Sequence, residues 1–212
     1  MYQVYGAPRN RTVRVLWMLE ELGQAYDLVR AEPRSETAFH VNPSGKVPAL
    51  ADDGAIITDS VAICHYLADK HEALTYRAGT LARARQDAAT LFVIDEIEGP
   101  LWALAKHKFI LPEALRWNDI HGTCEHEFRA GLASLERRLE AKPFLTGDAF
   151  TVPDLIMGHC LGWAMTVRMT LPDDGPLPAY AKRVLGREAL ARARAREIQF
   201  DTPDIETARP IA

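Results

Sequence analysis

Apolar and polar positions change their period several times along the chain. Tyr2-Gln3-Val4-Tyr5 alternates as a short strand, and Gly6-Ala7-Pro8 breaks it. From Thr12 to Leu22, Val13, Leu16, Trp17, Met18 and Leu19 wrap a helix, with Glu20 and Glu21 toward solvent and Gly23 as its stop. Tyr26 to Arg30 reads as a second strand. Asn42 to Leu67 then reads loop, strand from Val47, tight turn at Asp52-Asp53-Gly54, strand from Ala55 to Thr58, and helix. Asp59 and Ser60 stand at the helix start, where either can cap it, and Val61, Ile63, Tyr66 and Leu67 recur at helical spacing.

Beyond Lys70 strand signals nearly vanish. His71 to Gly79 reads as a linker. Thr80 to Lys108 is a long helical stretch with Gly99-Pro100 inside it, which predicts a kink or break. Thr123 to Ala141 carries Phe128, Leu132, Leu135 and Leu139 on one face, and Lys142-Pro143 ends it. Thr151 can cap a helix whose third residue is Asp154, an acidic variant of the capping box, and Phe150 with Leu155 forms a hydrophobic staple. Leu155 to Val167 is apolar nearly all round and predicts a buried helix. Ala179 to Phe200, rich in Ala and Arg, gives one or two final helices. Asp201 to Ala212 predicts a strap or a disordered tail.

The class is therefore α/β plus all-α. An N-terminal domain over 1–75 has the βαβ-ββα thioredoxin-like pattern, and an all-helical domain covers 80–212. Apolar residues at 48% and charged ones at 25% describe a soluble globule, and a net charge of −4 gives no footprint for nucleic acid. No apolar run reaches membrane-spanning length and no signal peptide is visible, so a cytoplasmic location is expected. Cys64, Cys124 and Cys160 form no disulfide framework, and the seven histidines show no metal spacing, so no metal is expected.

Two recognition devices lie side by side in the Asn42–Leu67 stretch. The backbone at Val47 can pair with an extended peptide, and the helix start at Ser60 suits a carboxylate. Asp59 can hold an ammonium. A small peptide with an amine, a carboxylate and a main chain matches all three. A hairpin followed by a plainly capped helix is the competing reading.

Asn42–Leu50 followed by Thr58-Asp59-Ser60 resembles the glutathione-binding half of the cytosolic glutathione S-transferases, and the Thr151–Asp154 capping box with its staple resembles the one before the central helix of their helical domain. The resemblance implies that glutathione is the co-substrate. It implies that Val47 pairs with the cysteinyl part beside a cis Pro48, and that Asp59 and Ser60 hold the γ-glutamyl end. Arg34 and Lys46 fall where a basic residue would meet the glycyl carboxylate. The thiol would be activated from the turn between first strand and first helix. There Ala7 stands at the position that is Ser in many serine-type members, and Arg9 at that of the Cys in the beta-class bacterial enzymes.

The donors left to stabilise a thiolate are Asn10 first and Arg9 second, with Arg11, Thr12 and Tyr5 nearby. Asn10 also reads as a plain helix cap, and Arg9, Arg11 and Arg14 as a solvated basic patch. Trp102 and Lys106 are candidates for an electrophile pocket, and Phe109 and Trp163 lie on the same helical elements, where core packing is the alternative. The family is homodimeric, with the thioredoxin-like domain of one subunit on the helical domain of the other. The expected reaction is attack of the glutathione sulfur on a small hydrophobic electrophile. Glutathione-dependent reduction of disulfides or peroxides, or a non-catalytic binding module, stand as alternatives.

Overall fold

A computed structural model describes residues 1–139 and 142–199. The chain divides into two compact units, Met1–Leu67 with the segment from Glu188, and Ala68–Arg187.

In the first unit β1 (Tyr2–Gly6), α1 (Thr12–Glu21) and β2 (Tyr26–Arg30) form a βαβ motif. A hairpin of β3 (Ala49–Asp52) and β4 (Ala55–Thr58) follows, then α3 (Ser60–Lys70). The sheet runs β2-β1-β3-β4, with β1 and β2 parallel and the other neighbours antiparallel. Asp53 and Gly54 turn the hairpin with positive φ, 48° and 83°, as the Asp-Gly pair predicts. Strand β3 begins at Ala49, two residues later than the sequence suggests. Pro48 has no N–H to give a ladder, so Val47 lies just outside it. A six-residue helix, α2 (Glu36–Val41), went unnoticed in the sequence; Ser35 caps it by accepting from Ala38 N at 3.2 Å.

Val15 to Leu19 of α1 are fully buried, and so is Arg14. The helix α9 (Glu188–Ile198) packs on α1 within this unit. The composition had placed that segment in the helical domain. Its small residues Ala189 and Ala193 are buried and allow a close approach, and its arginines then reach across. Arg192 bonds Glu20 through Nε to Oε2 at 2.9 Å and through the guanidinium to the backbone O at 3.0 Å. Arg196 donates to Tyr26 O and lies over the Tyr26 ring.

The second unit is helical. Segment 71–79 is tied down rather than loose: Leu74 O accepts from Val152 N, and Gln86 accepts from Tyr76 N. Helix α4 (Leu81–Phe92) runs through a π-helical turn, Val93–Glu98, into α5 (Gly99–Ala105), and a second π turn, Lys106–Ile110, follows. The expected break at Gly99-Pro100 is thus a widened turn within a continuous helix. Pro100 has no N–H for Glu96 O four residues back, and the wider pairing accommodates this. That carbonyl lies against Gly131, where a Cβ would approach it to 2.5 Å.

Helix α6 (Ile120–Leu139) buries Phe128, Leu132, Leu135 and Leu139 as its pattern predicts. The expected ends of the two late helices, Ala141 and Phe200, and the tail Asp201–Ala212 lie outside the described residues.

Helix α7 (Val152–Val167) is buried over most of its length. Asp154 closes its capping box, accepting from Thr151 N at 3.0 Å and from the Thr151 hydroxyl at 3.1 Å. Its other oxygen accepts from Leu145 N at 2.9 Å and from the hydroxyl of Tyr180 in α8 (Leu177–Leu185) at 3.0 Å. Burial pushes the Asp154 carboxyl above its usual range, against the pull of these four donors. Among the described residues, no helix is long and apolar enough to cross a membrane.

Candidate functional site

The sheet register collects the candidate residues at one end. Ala49 lies between Tyr5 and Thr58, and Gly6 lies beside Arg30. The carboxyl ends of β1, β2 and β4 and the amino end of β3 therefore share an edge. The segments that leave this edge carry Arg9 and Asn10, Arg34, Lys46 to Pro48, and Asp59 with Ser60.

Two backbone hydrogen bonds stitch these segments together. Ala31 N donates to Gly6 O at 2.7 Å, and Arg34 N to Gly45 O at 2.8 Å, which sets Arg34 beside the loop carrying Lys46. Asn42 organises that loop: its Nδ2 donates to Lys46 O at 2.9 Å, and its Oδ1 accepts from the amide and hydroxyl of Ser44. Gly45 has φ 63°, and a Cβ there would come within 2.7 Å of the Phe39 ring. The Val47–Pro48 peptide is cis, as the resemblance implies.

Asp59 is the residue that caps α3. Its φ is 73°, and its Oδ1 accepts from Val61 N at 2.8 Å and Ala62 N at 3.2 Å. Two of the free N–H groups expected at this helix start are thus already engaged by a carboxylate, whose charge also offsets the positive dipole end. Ser60 is buried beside it. Its Oγ accepts from the Arg14 guanidinium at 3.3 Å, so the hydroxyl proton is left to donate elsewhere. Arg14 is therefore no part of a solvated basic patch. It shares a helical face with Trp17 and Met18, three and four residues on and both fully buried, a signal the sequence carried.

The turn after β1 is held from two sides. Arg9 has φ 61° and its backbone N–H is taken by Glu197 Oε1 at 2.7 Å, so only its exposed side chain can serve an anion. Asn10 Oδ1 accepts from Thr12, which leaves the amide nitrogen as the side chain's donor. Tyr5 has turned its phenol to Gln3, donating at 3.3 Å.

The chain's own thiols are poorly placed for such chemistry, for all three cysteines are buried and none is in a disulfide. Burial pushes the Cys64 thiol up to about 12, and neighbouring Asp59 adds to the rise while Arg14 opposes it.

Trp102 and Lys106 belong to the second unit. Trp102 is half-buried and packs edge-on against Trp163 at 6.4 Å, and Phe109 is exposed. A cavity of about 250 Å³ in this unit is lined by Leu104, His107, Lys108, Trp117, Ile120 and others, with neither Trp102 nor Lys106 among them. His107 accepts there from Trp117 N at 3.0 Å. Among the described residues, no group of three or more His, Cys, Asp or Glu could hold a metal ion.

Comparison with known proteins gives a consistent result. The model of the glutathione S-transferase N-terminal domain matches residues 11–70, and that of the C-terminal domain matches residues 123–182. Glutathione S-transferase 1 of Zea mays is 30% identical over 167 residues, covering 72% of this chain and 76% of the relative. A glutathione transferase from Methylococcus capsulatus has a similar structure, with TM-score 0.82 and 28% identity over 93% of this chain and 98% of the other. A sphingomonad glutathione S-transferase, solved in complex with glutathione, has TM-score 0.80 and 27% identity over 92% and 98%.

Proposed function

Because the chain belongs to the glutathione S-transferase family and is an enzyme of that kind, we propose that it joins the glutathione sulfur to a small hydrophobic electrophile. Glutathione lies along Val47 and Pro48 with its γ-glutamyl ammonium at Asp59 and its α-carboxylate at Ser60. Arg34 and Lys46 face the glycyl carboxylate, and the sulfur sits beside Asn10, with the Arg9 guanidinium near enough to offset its charge.

The observation that carries this reading is the register Tyr5–Ala49–Thr58, which sets the three segments on one edge. The chemistry asked of the turn is modest. A free thiol near pKa 8.5 is mostly protonated at neutral pH, and lowering that value by about two units stabilises the thiolate by roughly 2.7 kcal/mol. One amide donor with one guanidinium nearby is of that order. Conjugation is favoured over cysteine-based reduction because the turn carries no cysteine and the three present are buried. Trp102 and Lys106 are the proposed contacts for the electrophile, and a homodimer is the proposed assembly.

Calorimetric titration of glutathione into the wild type and Asp59→Ala tests the reading. Loss of a charge-assisted contact should weaken binding by about 10- to 100-fold. Equal affinities would contradict it.

A further inference from the structure

The connection between α5 and α6 builds a cavity that the proposed chemistry does not use. Leu104 lies in the last turn of α5, and His107 and Lys108 follow it three and four positions on, so the three share one helical face. The segment 111–119 returns beside that face and is held largely by backbone groups. Leu111 N donates to Lys106 O at 2.9 Å, Arg116 Nε to Leu111 O at 2.8 Å, and Trp117 N to His107 Nδ1 at 3.0 Å. The last of these bonds also orders the imidazole. With Nδ1 an acceptor, the neutral ring carries its proton on Nε2, which is then its remaining donor. Trp117 lines the cavity with Leu104 and Ile120, yet its side chain is left 56% exposed.

We propose that this cavity is a second ligand site, one that takes a small planar aromatic carboxylate of one or two rings. Its volume is about 250 Å³. A cavity of about 150 Å³ accepts benzene, so two fused rings have room here. A ring set against the Trp117 indole, Leu104 and Ile120 is withdrawn from water, and offset stacking on the indole adds to the gain. Charge selects the head group. None of the described residues lining the cavity is acidic, while Lys108 brings an ammonium and His107 an N–H, in a chain whose net charge is −4. The acid beside His121, Glu125 at 3.6 Å, is already engaged by Arg129 at 2.9 Å and by the Thr170 hydroxyl at 3.0 Å. A carboxylate therefore gains at this cavity what the neutral form of the same ring does not. Neither Trp102 nor Lys106 lines it, so the ligand is distinct from the electrophile of the proposed reaction, and the inference goes beyond that reading.

The test titrates 2-naphthoate and its neutral isostere 2-naphthamide into the wild type, Lys108→Met and Trp117→Ala by calorimetry. Both substituted side chains are exposed, and truncating Trp117 keeps its backbone bond to His107. The wild type should bind the naphthoate at least about tenfold more tightly than the amide. Lys108→Met keeps the aliphatic stem and should erase that preference, while Trp117→Ala should weaken both ligands by about tenfold. Either variant decides the matter alone should the other not fold. No binding to the wild type, a preference that survives Lys108→Met, or affinities that survive Trp117→Ala would overturn the inference. These titrations contain no glutathione, so their outcome does not depend on the proposed conjugation. Adding S-hexylglutathione, whose apolar arm would fill the electrophile pocket, should leave the naphthoate bound. Its displacement would overturn the second site while leaving the proposed function standing.

Discussion

Asn10 Oδ1 accepts two hydrogen bonds from Thr12, one from its amide at 2.8 Å and one from its hydroxyl at 2.6 Å. Arg11 is the cap residue of α1 and caps it with no side chain, so the plain-cap reading of Asn10 gives way to an Asx turn onto the first helical residue, a role compatible with catalysis. The oxygen holds the start of α1, and the nitrogen is the donor we propose for the glutathione sulfur. Substitution separates the two roles. Asn10→Asp keeps an acceptor for Thr12 and should leave stability within about 0.5 kcal/mol, since Asp forms the same Asx turn as Asn. It replaces the donor by a negative charge, so kcat/KM should fall by at least about tenfold. Asn10→Ala should lose both, with about 1 kcal/mol of stability gone. Denaturant unfolding and steady-state rates with a chlorodinitrobenzene-type electrophile check this.

Gly6→Ala reaches the same turn from below. An added Cβ would overlap Cγ2 and Oγ1 of Thr12, and the hydroxyl cannot retreat without releasing Asn10. The expected cost is about 1–3 kcal/mol, read by denaturant unfolding, with a loss of activity beside it. Adding Thr12→Ala removes the two closest of the three crowded atoms, leaving Cβ at 2.9 Å, and should recover part of the stability, but not the activity.

In the helical unit, Asp154→Ala would leave four donors facing a void: Leu145 N, Thr151 N, and the hydroxyls of Thr151 and Tyr180. Orphaning buried donors together with a helix cap should cost about 3–5 kcal/mol. Scanning calorimetry should show a clearly lower Tm for this variant and a smaller drop for Tyr180→Phe.

Cys64 gives the alkaline behaviour a definite sign. Its thiol is raised in the fold to about 12, above the value near 8.5 of an unfolded chain. Between those values the native state keeps a proton that the unfolded state has released, so stability present below about pH 8.5 is lost as pH rises toward 12, at up to about 1.4 kcal/mol per pH unit. Denaturation measured from neutral to alkaline pH should fall less steeply for Cys64→Ala, after allowing for the cavity it leaves. The native thiol should also resist iodoacetamide at mildly alkaline pH, where unfolded protein reacts.

Much of this was legible along the chain, and the reasons are local. Asp53-Gly54 announces its turn, Thr151 with Asp154 announces its cap, and the alternation around Val4 and Leu50 announces strands, because each depends on neighbours in sequence. What escaped depends on partners far away. Arg14 reads as surface until α3 brings Ser60 to it, and Glu188–Ile198 reads as part of the helical domain until its alanines meet α1. The start of β3 was misplaced by two residues because apolar Val47 looks like strand, while the missing N–H of Pro48 decides otherwise. At the site, the sequence carried the residue types at Asp59 and Ser60 but not their division of labour, in which Asp59 caps the helix and Ser60 is left with its proton.

A crystal structure of the protein with glutathione bound tests the proposed binding mode most directly. The cysteinyl main chain is expected beside Val47, the ammonium at Asp59, the α-carboxylate at the Ser60 hydroxyl and the sulfur within hydrogen-bond distance of Asn10 Nδ2. Glutathione bound elsewhere, or a sulfur with its nearest polar neighbour outside the Arg9–Asn10 turn, would contradict it.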